Sequence, residues 1–206
     1  MDATLLCLLR DFETAKEVPR YIDRLDEEVV KLVDKKLKDL LSDNWEISDD
    51  ESSLNEDDSF AFCKANWMEG DDWLTWFSFE NDDDEDDYDN WLNHFLGYSK
   101  YPFCVVLTFS GLLENNCVDK TNLIIAANKL KEKLLSDGFT ESTAKGKKVY
   151  CFSRPITFEK QKLFEAFENK NPDDGISNLG VIIAELDSYT SLIDEIVNKY
   201  KKLEDE

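Results

Sequence analysis

The sequence predicts an α+β protein: a mainly antiparallel sheet with helices packed on one face, opened by an N-terminal helix and closed by a long C-terminal helix. Two observations carry this. Apolar residues recur at helical spacing near both ends of the chain, while the middle holds short strand-like runs separated by turn signals. Helical and strand-like segments are also grouped, a pattern expected of an α+β sheet rather than a strictly alternating α/β one. The 206 residues are expected to form a single domain, with a helical segment over 1–41, an acidic Trp-rich segment over 42–95 and a strand-helix-strand-helix-helix segment over 96–206.

Residues 10–41 read as helix. Val18, Ile22, Leu25, Val29, Leu32, Val33, Leu37, Leu40 and Leu41 follow an amphipathic stripe. Pro19 suits the first turn, so the helix is expected to begin there. On the charged face Asp34 and Lys38 stand at the favourable i, i+4 spacing. Residues 42–58 read as an acidic loop with room for a short strand around Trp45–Ile47. Phe60–Trp67 and Trp73–Phe79 read as two antiparallel strands joined by a turn at Gly70-Asp71-Asp72. In a regular strand Trp73 and Trp76 would face opposite ways, because three positions is an odd step.

Residues 81–90 read as a second acidic loop, and 91–97 fit either a short helix or part of a strand. Phe103–Phe109 is near-continuously apolar, as a central strand buried on both faces would be. Thr121–Leu135 reads as helix, stopped by Gly138. Lys148–Ser153 is a further strand, 158–169 a helix, Pro172–Gly175 a turn, and Leu179–Leu203 the final helix.

The charge is unevenly spread. The chain carries −22 overall, with 46 acidic and 24 basic side chains. Residues 1–40 and 96–206 are each net −2, whereas 41–95 hold 19 acids against one base, Lys64. All five tryptophans, Trp45, Trp67, Trp73, Trp76 and Trp91, fall in the same segment. An acidic disordered tail would be poor in aromatics, so this segment is expected to fold, with acidic loops hung on an aromatic-rich sheet.

Seven acids crowd the eight positions from Asp82 to Asp89. Such a run repels itself, and a field of one sign attracts a partner of the other. The expected contact residues are Asp82, Asp83, Asp84, Glu85, Asp86, Asp87 and Asp89, supported by Asp49, Asp50, Glu51, Glu56, Asp57, Asp58, Asp71 and Asp72. Their carboxylates would stand where a basic, nucleic-acid-handling protein, such as a nuclease, expects phosphates. In composition and charge layout, though in no alignable stretch, the chain resembles phage-encoded inhibitors of restriction, CRISPR effectors and repair nucleases, and immunity proteins that neutralise basic nuclease toxins. The resemblance implies a binding or inhibitory role.

Other classes fit less well. Direct nucleic-acid binding would have to overcome the central field, and the one basic cluster, Lys145, Lys147 and Lys148, reads as a hairpin loop. Divalent metal binding, Ca²⁺ above all, is the alternative, since carboxylates suit that ion. The 82–89 run lacks the sixth-position glycine and twelfth-position glutamate of an EF-hand. A structural or accessory subunit is a further alternative.

No nucleotide-loop, zinc-protease or nucleophile motif is present, and the lone His94 lies among apolar residues. No enzymatic activity and no cofactor are therefore expected. The five cysteines, Cys7, Cys63, Cys104, Cys117 and Cys151, form no C-x-x-C pair. No apolar run reaches the roughly 20 residues of a membrane span. The first residues lack the features of a signal peptide, so the protein is expected in the cytoplasm.

Overall fold

The computed structural model describes residues 7, 10–11, 19–41, 43–54, 59–81, 90–115, 117–142, 149–169 and 171–201. The first described helix, α1, spans Pro19–Leu41. Its stripe of Leu25, Val29, Val30, Val33, Leu37 and Leu41 is buried. Residues 12–18, where the start of this helix was expected to be decided, lie outside the described residues.

Six strands form one sheet: β1 (Glu46–Ser53), β2 (Ser59–Cys63), β5 (Trp76–Asn81), β6 (Phe103–Thr108), β8 (Cys151–Pro155) and β7 (Thr140–Ser142), in that spatial order. Every pairing is antiparallel. A separate two-stranded ribbon, β3 (Met68–Glu69) and β4 (Asp72–Trp73), sits between β2 and β5 in the chain. Seven further helices complete the described residues: α2 (Trp91–Phe95), α3 (Ser110–Glu114), α4 (Lys120–Ala126), α5 (Asn128–Ser136), α6 (Lys160–Glu168), α7 (Asn178–Asp187) and α8 (Thr190–Lys201).

Strand register explains the layering. Phe62, Phe77, Leu107 and Phe152 stand in one row across the sheet, and Phe60, Phe79 and Val105 in the next but one. These side chains point to one face, since alternate residues do. The helices lie there. Phe95 of α2 meets Phe103 edge-on at 4.8 Å, and Glu185 of α7 holds Arg154 of β8. On the other face one row, Ala61, Ser78, Val106 and Ser153, stands in register. All six residues of β6 are buried, as expected for the central strand.

Several boundaries differ from the sequence reading. The strand expected over 60–67 ends at Cys63. Residues Ala65–Trp67 turn into a 3-10 helix, which brings the Trp67 indole N–H to Asp194 of α8 at 2.6 Å. The next strand is interrupted at Leu74 and Thr75, where Thr75 Oγ1 donates to the Thr108 carbonyl. That break cancels the odd-step argument: Trp73 and Trp76 are both half-buried and meet each other, ring centroids 6.3 Å apart.

The helix over 121–135 is kinked at Ala127, whose backbone still links Leu123 to Lys131 by hydrogen bonds. The final helix is divided at Ser188 and Tyr189. There the buried Tyr189 hydroxyl donates between Asp137 and Glu185. Within 91–97, Trp91–Phe95 form a short helix. Pro172–Ile176 is a 3-10 helix rather than a simple turn. The basic cluster at 145–148 lies outside the described residues.

Candidate acidic interface

Five of the fifteen acids singled out in the sequence, Asp49, Asp50, Glu51, Asp71 and Asp72, lie among the described residues, and strand register places them. Asp49, Asp50 and Glu51 do not lie in a loop. They are exposed residues of β1, at an irregularity where the pairing with β2 jumps between Ile47 and Ser52. Ser48 Oγ accepts the backbone N–H groups of Asp50 and Glu51 at 3.2 and 3.1 Å. That local alternative to a ladder is one that serine offers, and it lets a polar stretch read as a loop remain part of a strand.

Glu56, Asp57 and Asp58, and the run Asp82, Asp83, Asp84, Glu85, Asp86, Asp87 and Asp89, lie outside the described residues. Their attachment points are described. Segment 55–58 joins β1 to β2, and 82–89 follows the last residue of β5. Ser59, the first residue of β2, pairs with Glu80, the penultimate residue of β5. Both acidic segments are therefore tied to the same end of the sheet.

Helix α1 fixes that end. Asp34 accepts from Ser53 Oγ at 2.8 Å and from the Leu54 N–H at 2.9 Å, where the first acidic segment departs. Asp26 accepts from the Leu92 N–H at 2.6 Å, just after the second acidic segment arrives. The two carboxylates are eight residues apart, about 12 Å along a helix. Burial pushes the Asp26 carboxyl up from 3.8 to about 6, against the backbone N–H groups of Leu92 and Trp91 and nearby His94, which pull it down. Asp34 was expected on the charged face beside Lys38. It is instead 8 % exposed and serves the sheet corner.

Asp71 and Asp72 stand at the other end. The β3–β4 ribbon leaves from the end of β2 and returns to the start of β5. It is separated from the 59/80 end by the length of a six-residue strand, roughly 20 Å. Gly70, with φ +59°, makes the tip, a backbone shape that glycine adopts without strain. Glu69 pairs with Asp72 and Met68 with Trp73, so the acids share one side of the ribbon.

The base of the ribbon is pinned to α8. Asp194 Oδ1 accepts from Trp67 Nε1 and from Asn66 Nδ2 at 2.8 Å, and Lys201 Nζ donates to the Met68 carbonyl. Lys64, the sole base of the acidic segment, lies over the Trp45 ring at 3.6 Å and reaches Asp187 Oδ1 at 3.0 Å. It fastens the segment to α7.

His94 is buried, edge-on to Trp91, with Nδ1 against the Tyr101 carbonyl. Cys63 and Cys104 are buried and Cys117 and Cys151 half-buried, as free thiols. Among the described residues no group of three or more His, Cys, Asp or Glu side chains is placed to hold a metal ion. No helix among them is long and apolar enough to cross a membrane. The residues that sequence reasoning missed are Asp26, Asp34 and Asp194, three acids turned inward to hold backbone and indole N–H groups. Their one sequence signal is their place on or beside an apolar helical stripe. No protein family, curated protein or solved structure matches the chain.

Proposed function

We propose that this chain is a single-domain acidic binding protein of the cytoplasm that engages a basic, nucleic-acid-handling partner and occupies its phosphate-binding cleft, as an inhibitor or immunity protein does. The observation that carries this reading is the joint anchoring of 55–58 and 82–89. The two segments hold ten acids between them and no base, and both attach at the Ser59/Glu80 end of the sheet. Concentrating like charge at one end is costly to the folded protein and useful for attracting a cationic surface. Asp34 and Asp26 support the reading because they hold backbone N–H groups beside the two attachment points, those of Leu54 and Leu92.

The test is capture of partners from lysate of the source organism or its host. Wild type is compared with a variant whose Asp82–Asp87 are changed to Asn and Ser, at low and high salt. The reading expects a basic protein retained by wild type, lost in the variant and lost as salt screens the contact. Equal retention by both proteins would overturn it.

A further inference from the structure

Among the described residues β1 is the outermost strand on its side of the sheet. Such a strand offers backbone groups on which another chain can pair. Its own register is regular at both ends and broken between. Ile47 stands opposite Phe62 and Ser52 opposite Phe60, so Ser48, Asp49, Asp50 and Glu51 together face the single residue Ala61. The N–H groups of Asp50 and Glu51 are committed to Ser48 Oγ within this bulge. The side chains of Asp49, Asp50 and Glu51 are exposed. At the opposite edge stands β7, described over Thr140–Ser142.

We propose that Ser48–Glu51 is an edge guard, which keeps a second copy of this chain from adding to β1. Two copies related by a twofold axis would bring β1 against β1. Their carboxylates would meet across the new pair, where like charges are destabilising. The bulge would also interrupt the ladder that a second strand needs. This role concerns association of the protein with itself and stands whether or not the acidic end binds a partner.

The register supplies the test. Deleting Asp49, Asp50 and Glu51 leaves Ile47, Ser48 and Ser52 to face Phe62, Ala61 and Phe60 in an unbroken ladder. A second variant, Asp49→Thr, Asp50→Thr and Glu51→Thr, keeps the length and removes the charge. Self-association is read by sedimentation equilibrium and folding by circular dichroism. The deletion is expected to dimerise at least about tenfold more tightly than wild type, a difference of about 1.4 kcal/mol, and the threonine variant to fall between them. If the deletion does not fold, the threonine variant decides alone. Variants as monomeric as wild type, or a wild type that already dimerises equally well, would overturn the guard.

Discussion

Changing Asp26 to Asn should remove a pH-dependent cost from the folded protein. The Asp26 carboxyl sits against the start of α2, and burial is the largest influence on it, raising its pKa from 3.8 to about 6. Well below pH 3.8 the group is protonated both folded and unfolded, so it contributes nothing. Between 4 and 6 the unfolded chain ionises first, and stability falls as pH rises. Above 6 both forms are ionised and the full cost stands, on the order of 2–3 kcal/mol for a carboxyl so displaced.

Asparagine keeps an oxygen that can accept the Leu92 N–H and carries no charge. Urea unfolding of wild type and Asp26→Asn at pH 4 and pH 7.5 gives the double difference, in which the other carboxylates cancel. The variant should gain about 2 kcal/mol on wild type between the two pH values. An identical pH dependence in the two proteins, or a variant that loses ground as pH rises, would refute the reasoning.

Two further substitutions test how the Trp-rich ribbon is held. A Cβ on Gly111 would fall 1.8 Å from the Trp73 carbonyl oxygen and 2.7 Å from Leu74 Cα, both backbone atoms with little freedom to yield. Gly111→Ala should therefore lower unfolding stability by about 3 kcal/mol, at the upper end for overpacking, and a cost below 1 kcal/mol would contradict the close approach. Asp194→Ala strips the acceptor from the fully buried Trp67 indole. It should cost about 2 kcal/mol in the same assay and speed exchange of the indole proton. Asp194→Asn should recover part of that loss.

The large features were legible because they rest on local pattern. The α1 stripe follows from helical spacing, while β6 and the β2–β5 pair follow from short apolar runs bounded by turn signals. The divided C-terminal helix was not legible. Leu186, Tyr189, Ile193, Ile196 and Tyr200 keep helical spacing straight through the break, because Tyr189 is itself buried. The extra signal was the flanking Ser188 and Thr190, and Thr190 Oγ1 does bond the Asp187 carbonyl.

For the acidic segment, sequence supplied the charge and not its placement. Composition cannot distinguish Asp34, buried at a sheet corner, from Asp49, exposed on an edge. Nor can it show that Asp71 and the 82–89 run leave opposite ends of the sheet. That separation arises from long-range strand pairing, which local pattern does not record.

The central claim is that one end of the sheet, rather than negative charge in general, binds the basic partner. The most direct measurement is the affinity of the captured partner for three proteins at one ionic strength: wild type, the Asp82–Asp87 neutralised variant, and Asp71→Asn with Asp72→Asn. The account predicts a large loss, on the order of a hundredfold, for the first variant and a change within about threefold for the second. Equal losses from the two ends, or none from either, would contradict it.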